Sequence, residues 1–218
     1  ASPNIAAANF TGSTYANRPA GVYTVVAVDD VTKCQSARAT AEVLNNTVLP
    51  SISAAVVNQT SCDLTNPNGQ LSADVGGVTA GYTFTWFAGS GTGGAVVGTA
   101  PVVTGRGAGT YTVRAVNDAT GCTSTSQVSI VNNLVNPVVA AAVDHHLTLC
   151  NTNDGQVSAN VGGSTTGYTF YWFNGNIAAP NIASANFTGS TYANRPAGVY
   201  TVVAVDDVTK CQSARATA

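Results

Sequence analysis

Apolar and polar residues alternate along most of this chain with a period of two, the pattern of strands with one buried face. Gly- and Asn-rich stretches such as residues 76–77, 89–94 and 117–121 separate these segments and supply turn residues. No segment of useful length has the helical period. The pattern predicts an antiparallel β-sandwich of roughly seven strands for each unit. The alternating apolar positions of the central unit are Leu71, Ala73, Val75, Tyr82, Phe84, Trp86, Tyr111, Val113, Ala115, Val128 and Ile130.

The sequence is internally repeated. Residues 4–41 return as residues 181–218 with a single substitution, and residues 69–87 match residues 155–173 more loosely. The repeat unit is about 88 residues long, and two slightly different kinds of unit alternate. Such an array is built by stacking one structural block along the chain.

The repeat divides the chain into three parts, residues 1–46, 47–133 and 134–218. The first holds the C-terminal half of a sandwich, the second is complete, and the third has a truncated last strand. Half a sandwich cannot bury its inner face, so its missing half comes from upstream sequence or from a neighbouring chain. Both joints end in a proline, Pro50 or Pro137, which stiffens the link and favours an elongated rod.

Composition excludes several classes of protein. Charged residues make up 8% of the chain and the net charge is −2, so there is no basic field for nucleic acid. The longest apolar run, residues 138–143, is too short to cross a bilayer. Residues 1–4 carry neither an initiator Met nor a signal peptide, so we expect a removed export signal or a longer parent chain. Five cysteines in small β domains indicate an oxidising, extracellular compartment.

Two aromatic positions in each unit predict an immunoglobulin-like core. Trp86 and Trp172 lie where the third strand of such a sandwich carries its core Trp. The motif Gly-x-Tyr-Thr-Val places Tyr23, Tyr111 and Tyr200 two residues before a buried position, as in a tyrosine corner. Where antibody domains have an intersheet Cys, this chain has Val.

These motifs carry a family resemblance across essentially the whole chain. With a Cys before the Gly-Gln of the second strand, then GG…GYTFxWF and GxYTVxAVxDxxxxC, the units resemble repeats of giant bacterial surface adhesins. They are similar to the SprB-type, PKD-like and bacterial Ig-like tandem repeats of Bacteroidota. The resemblance implies export to the cell surface, often by the type IX pathway, and a role in adhesion, gliding or filament formation.

The cysteines fall into two classes. Cys34, Cys122 and Cys211 begin a last strand, whereas Cys62 and Cys150 precede a second strand. A bridge within one unit, Cys62 to Cys122, is the simplest pairing, but it would have to span opposite ends of a sandwich, about 25 Å apart. If units stack end to end, Cys62 approaches Cys211, and the other three need partners in segments this chain lacks. Free buried thiols are the remaining alternative.

Oxygen-rich turns are candidate calcium ligands, although the same residue types are required by tight turns. We expect no other cofactor. His145 and His146 are neighbours on a predicted strand and point to opposite faces, so they do not suit one metal ion. The candidate calcium ligands are Asp29, Asp30, Asp154, Asp206 and Asp207.

One repeated loop is a candidate contact site. Tyr15 with Arg18, and Tyr192 with Arg195, place an aromatic ring beside a cation in the sequence STYANRPAG. Repeated along a rod, this pair would suit multivalent binding of surface glycans. The alternative is a Tyr packed over its own loop or against a neighbouring unit.

The sequence contains no nucleophile elbow, Cys-x-x-Cys or phosphate-binding glycine loop, and we expect no enzymatic activity. Near-identical repetition favours building material over one unique active site. The leading hypothesis is a structural stalk or filament region whose partners are copies of itself, without nucleic acid binding or membrane insertion. The alternatives are an array of carbohydrate- or surface-binding modules, and a fibre subunit that polymerises by strand complementation.

Overall fold

The structure is a computed structural model and describes residues 4–218. The segment at positions 1–3, on which the expectation about an export signal partly rests, lies outside the described residues. The fold is all-β, with antiparallel sheets and two short 3₁₀ turns, Ile5–Ala7 and Ile182–Ser184. The chain separates into two units, Ala1–Leu49 and Pro50–Ala218.

The first unit contains one hairpin. Strands β1 (Gly21–Val25) and β2 (Ala39–Val43) pair antiparallel, with Gly21 opposite Val43. No second sheet covers this hairpin within residues 4–49, so most of its side chains are exposed.

The second unit contains two sandwiches of the same design. In the first, which we call the middle repeat, the three-stranded sheet β3-β4-β7 faces the four-stranded sheet β6-β5-β8-β9. Consecutive strands in the chain change sheet between β4 and β5, which is how a sandwich of the immunoglobulin type closes around one core. The strands are β3 (Ile52–Val57), β4 (Gly69–Val75), β5 (Tyr82–Ala88), β6 (Val96–Gly98), β7 (Val102–Arg106), β8 (Gly109–Asn117) and β9 (Thr123–Ile130).

The second sandwich, the last repeat, has the sheets β10-β11-β14 and β13-β12-β15-β16. Its order of elements follows that of the middle repeat, as the sequence repetition requires. The strands are β10 (Val139–His145), β11 (Gly155–Val161), β12 (Tyr168–Asn174), β13 (Phe187–Thr188), β14 (Thr191–Arg195), β15 (Tyr200–Asp206) and β16 (Ala216–Thr217).

Each sandwich is centred on one buried Trp. Trp86 and Trp172 are fully buried among the inward-facing residues of both sheets. Their indole N–H groups do not remain unpaired, because Trp86 donates to the carbonyl oxygen of Ala100 at 3.2 Å and Trp172 to that of Gly189 at 3.0 Å. Strand β4 alternates buried and half-buried residues along its whole length, so the period of two in the sequence marks the core face.

The Tyr residues of the Gly-x-Tyr motif make tyrosine corners. Each hydroxyl donates to a backbone carbonyl four residues earlier, which closes the connection into β1, β8 or β15, and in the two sandwiches it gives a buried phenol its partner. The three bonds are Tyr23 to Pro19 at 2.7 Å, Tyr111 to Gly107 at 2.9 Å and Tyr200 to Pro196 at 2.7 Å.

Candidate functional site

A disulfide joins the two sandwiches of the second unit. Cys62 and Cys211 are bonded, with their Cα atoms 4.9 Å apart. Cys62 lies in the loop before β4 of the middle repeat, and Cys211 lies in the turn after β15 of the last repeat. This is the pair that end-to-end stacking brings together, whereas the alternative within one unit, Cys62 to Cys122, is not formed. We call this region the joint.

The turn that carries Cys211 is held by the side chain of Asp206. Its Oδ1 accepts hydrogen bonds from the backbone N–H groups of Val208 at 2.9 Å and Thr209 at 2.7 Å. The N–H of Asp206 also donates to the carbonyl oxygen of Cys211 at 2.9 Å. The bond from Thr209 is the largest cause of a lowered pKa for the Asp206 carboxyl, because it favours the charged form. These hydrogen bonds therefore fix the backbone of the turn that positions Cys211.

The loop that carries Cys62 is held by an amide. The Oδ1 of Asn68 accepts from the N–H groups of Thr60 at 2.9 Å and Ser61 at 3.1 Å, and its Nδ2 donates to the Thr60 hydroxyl at 2.8 Å. Behind it, the buried Gln59 accepts from the N–H of Asn68 at 2.9 Å. Thr60 and Ser61, the two residues before Cys62, are thus held by the side chains of Asn68 and Gln59.

Backbone hydrogen bonds also cross the joint. The N–H of Cys62 donates to the carbonyl oxygen of Thr209 at 2.7 Å. The segment that leaves the middle repeat is paired with the same loop, since the N–H of Asn133 donates to the carbonyl oxygen of Gln59 at 2.7 Å. Gln59 forms a parallel bridge with Asn132. The Asn-Asn pair at the end of the repeat is therefore part of the joint.

Three of the candidate calcium ligands, Asp29, Asp206 and Asp207, accept local hydrogen bonds through their carboxylates. Asp29 accepts from the N–H groups of its own turn, as Asp206 does, and Asp207 accepts from the Thr169 hydroxyl at 2.6 Å. The Asp30 backbone carbonyl accepts from a Lys side chain in the same turn. No group of three metal-binding side chains forms among residues 4–218. The carboxylates of Asp29 and Asp206 each hold their own turn, and that of Asp207 ties its turn to Thr169.

The loop proposed as a contact site is packed in the last repeat, contrary to the reading of Tyr192 as an exposed platform. Tyr192 is only 5% exposed. Its ring stacks on Phe187 at 4.6 Å between centroids, and the Arg195 guanidinium lies 4.3 Å from the ring centroid. The second sheet and the loop cover the ring because Tyr192 is an inward position of β14. In the first unit Tyr15 and Arg18 make the same pair at 4.5 Å, and Tyr15 is 36% exposed.

The two histidines lie at the end of β10 and are exposed. The Nδ1 atom of His145 is 3.0 Å from the backbone oxygen of Asp154. The Asp154 carboxylate accepts from both the N–H and the hydroxyl of Thr148, and the hydroxyl bond is the largest cause of its lowered pKa. Asp154 therefore fixes the loop that carries Cys150.

Sequence reasoning missed that Gln59 and Asn68 hold the Cys62 loop and that Asp154 holds the Cys150 loop. A signal was present in the sequence: in both loops a Thr lies two residues before the Cys, and an Asn or Asp lies directly before the Gly that begins the next strand. The spacing from the Cys to this Gly differs by two residues between the loops at Cys62 and Cys150, which conceals their equivalence.

Within residues 4–218 the structure contains no helix of the length and apolarity that a bilayer crossing requires. No protein-family profile and no curated protein matches the chain. Among solved structures, the chain is similar to the three N-terminal domains of the bacteriophage RB49 highly immunogenic outer capsid protein, with 17% sequence identity and a TM-score of 0.40. The match covers 78% of this chain and 57% of the phage chain. A likeness at this level supports no functional inference.

Proposed function

We propose that this chain is a structural region of an extracellular stalk or filament on a cell surface, built from tandem immunoglobulin-like sandwiches. The observation that carries the proposal is the joint, where the Cys62–Cys211 disulfide and the Cys62–Thr209 hydrogen bond tie successive repeats together. A covalent tie between successive repeats limits how far they can separate, which suits a load-bearing rod.

The position of the disulfide has a mechanical consequence. Tension applied along the backbone enters the middle repeat before Cys62 and leaves the last repeat after Cys211. The disulfide therefore carries the tension past the intervening chain, including β4–β9 and β10–β15. If both sandwiches unfolded, this segment would still be unable to extend.

Single-molecule stretching of the full chain tests this role. The bridged segment has a sequence separation of 149, so reduction should release roughly 500 Å of additional extension at about 3.3–3.6 Å per residue. The Cys62→Ser variant should extend like the reduced protein, and Cys34→Ser should extend like the oxidised one. Equal extension before and after reduction would contradict the mechanical role.

A disulfide between repeats also supports an extracellular location, because such bonds persist in oxidising compartments. Antibodies against residues 50–218 should label threads or filaments on intact cells of the source organism. Labelling only after permeabilisation, with Cys62 recovered as a free thiol, would refute the proposal. In this proposal the partners are further repeats of the same kind.

A further inference from the structure

One buried residue connects the end of the middle repeat with the loop that carries Cys62. Gln59 is 1% exposed although its side chain is polar. Burying an amide is costly unless its hydrogen bonds are made, so the partners of Gln59 show what its burial depends on. These partners lie in two segments that are distant in the chain, residues 131–133 and residues 61–68.

The backbone of Gln59 binds the end of the middle repeat. Its N–H donates to the carbonyl oxygen of Val131 at 3.1 Å, and its carbonyl oxygen accepts from the N–H of Asn133 at 2.7 Å. The side chain of the neighbouring Asn58 accepts from the N–H of Val131 at 3.2 Å. Residues 58–59 follow β3 and residues 131–133 follow β9, so these bonds join the ends of the first and last strands of the sandwich.

The side chain of Gln59 binds the Cys62 loop. Its Oε1 accepts from the N–H groups of Ser61 at 3.3 Å and Asn68 at 2.9 Å, and its Nε2 donates to the carbonyl oxygen of Ser61 at 2.9 Å. One amide therefore binds both backbone groups of Ser61, which is itself 4% exposed. Because Ser61 directly precedes Cys62, this amide fixes the direction in which the chain enters the joint.

The linker that follows Asn133 reaches the disulfide itself. Oδ1 of Asn136 lies 4.0 Å from Sγ of Cys62. On the other side, Sγ of Cys211 lies 3.7 Å from the carbonyl oxygen of Thr60, and Cys211 is 0% exposed. The surroundings of the disulfide are therefore complete only after β9 has paired and the linker has passed Gln59.

We propose that Gln59 is a positioning residue that makes formation of the Cys62–Cys211 disulfide conditional on a completed middle repeat. With residues 131–133 in place, the buried Gln59 holds the Cys62 loop in the geometry that Cys211 meets. When residues 131–133 are displaced, Gln59 loses two backbone partners and its cover, and its amide no longer holds Ser61. This inference rests on the proposed structural function and names a regulation of the joint.

Such coupling matters in a chain with five cysteines. Any two thiols can meet in an unfolded chain, so a disulfide that forms before the sandwiches are complete can join the wrong pair. A loop that is ordered only by the finished sandwich raises the effective concentration of Cys62 at Cys211 only at that stage. The finished sandwich therefore favours the correct bond over the other pairs.

The oxidation is thiol–disulfide exchange with a small disulfide such as oxidised glutathione. The thiolate of Cys62, the more exposed of the two cysteines, attacks the oxidant and releases one reduced glutathione. The thiolate of Cys211 then attacks the Cys62 sulfur of the mixed disulfide and releases the second. Two protein thiols thus lose two electrons and two protons, and one oxidised glutathione becomes two reduced molecules.

The test measures the ratio of bridged to reduced protein at known concentrations of reduced and oxidised glutathione, which gives the effective concentration of the two thiols. It uses the full chain with the other three cysteines replaced, Cys34→Ser, Cys122→Ser and Cys150→Ser. We expect Gln59→Ala to lower the effective concentration of Cys62 and Cys211 by at least about tenfold, because it removes three hydrogen bonds to the loop.

Thr83→Val is the matched control. It removes the 2.8 Å hydrogen bond between the Thr83 hydroxyl and Asp118, which follows the last residue of β8. Gln59 lies at the opposite end of the sheet, where the start of β8 pairs with the end of β9. The control should therefore leave the effective concentration unchanged, and urea unfolding of each variant shows that it is folded.

Asn133→Pro tests the same coupling from the other end and leaves the buried amide intact. It removes the N–H that donates to the Gln59 carbonyl oxygen and touches no residue of the Cys62 loop. We expect this variant also to lower the effective concentration of the two thiols. In the Gln59→Ala background it should cause no further fall, because the side chain that transmits the change is already absent.

An unchanged effective concentration in Gln59→Ala would overturn the proposal. Additive effects of Gln59→Ala and Asn133→Pro would also overturn it, because they would show that the end of the repeat and the loop act independently. Either result leaves the proposed function standing if stretching of the wild-type chain still shows the disulfide-dependent extension. Loss of that extension would refute the proposed function itself.

Discussion

The backbone N–H of Cys62 donates a 2.7 Å hydrogen bond to the carbonyl oxygen of Thr209 in the next sandwich. The disulfide from Cys62 to Cys211 lies directly beside this bond. One backbone contact and one covalent contact therefore fix the same two segments, and the backbone contact does not depend on the redox state of the sulfurs. The loop at Cys62 and the turn at Cys211 are each held by their own side-chain hydrogen bonds, so forming the joint has to order little additional backbone.

The first prediction concerns the disulfide. Replacing both Cys62 and Cys211 with Ser should lower the free energy of unfolding of the two-sandwich unit by up to about 5 kcal/mol, because the bond closes a loop with a separation of 149 residues in the unfolded chain. Urea unfolding followed by Trp fluorescence measures the change. The control is Cys34→Ser, which removes an exposed thiol and should leave the transition in place. An unchanged midpoint in the double variant would contradict the prediction.

The second prediction concerns close backbone approach at the start of β4. A Cβ atom on Gly69 would lie 2.4 Å from the carbonyl oxygen of Arg106, so Gly69→Ala forces the paired strands β4 and β7 apart. We expect a loss of about 1–3 kcal/mol, the usual cost of overpacking. Gly93→Ala is the matched control because a Cβ atom there meets nothing within 4 Å. Thermal unfolding of both variants measures the difference, and equal transition temperatures would refute the steric account.

The third prediction concerns the tyrosine corner. Tyr200→Phe removes the 2.7 Å hydrogen bond to the Pro196 carbonyl oxygen while keeping the ring, and should destabilise the second unit by about 1 kcal/mol. Tyr23→Phe removes the same bond to Pro19 in the first unit and should not shift that transition. The comparison of the two variants by urea unfolding isolates the contribution of the buried corner. A shift of equal size in Tyr23→Phe would show that the hydrogen bond does not act within the sandwich.

The fourth prediction concerns pH. The Thr148 hydroxyl and N–H hold the pKa of the Asp154 carboxyl below its usual value of 3.8. Because this pKa is lowered in the folded state, the hydrogen bonds from Thr148 to the Asp154 carboxylate contribute fully to stability above about pH 4, the pKa range of an unfolded Asp. Their contribution is lost as the pH falls through the folded pKa. NMR titration should show the Asp154 carboxyl and the Thr148 amide changing together on acidification.

The matched variant for the pH prediction is Thr148→Val, which keeps the backbone donor and removes the hydroxyl. The pKa of Asp154 should rise towards its ordinary value in this variant, because the hydroxyl is the largest cause of the shift. A titration curve identical to that of the wild type would show that the hydroxyl bond does not hold the carboxylate.

Much of the local structure could be predicted from sequence. The period of two and the Gly-rich turns are short-range signals, and together with the 88-residue repeat they were sufficient to predict sandwiches with a core Trp. The hydrogen bonds by which the Asn68 and Asp154 side chains hold their loops could not be predicted, because each joins residues across a loop whose length differs between repeats. The sequence left both an exposed and a packed Tyr192 open, since an aromatic–cation pair in a loop has the same sequence signature whether or not a second sheet covers it.

Residues 4–41 and 181–218 have the same sequence except at one position, but they occur in two different structural settings. Comparing them separates what the local sequence determines from what the tertiary structure decides. In both, an Asn caps a 3₁₀ turn, an Arg lies over a Tyr ring, and the Tyr hydroxyl of the corner bonds to a Pro carbonyl. Lys33 and Lys210 adopt positive φ values of 59° and 61° in the same turn. These features involve residues a few positions apart, so the sequence alone determines them.

Burial and pairing differ between the two settings. Val202 is fully buried, whereas its counterpart Val25 is 58% exposed. Residues Thr191–Arg195 form strand β14 beside β11, and the equivalent residues of the first unit form no strand. Cys211 is bonded to Cys62, and its counterpart Cys34 is free. Only tertiary structure decided these outcomes, because a core, a sheet edge and a disulfide each need a partner distant in the chain, which the local sequence cannot supply.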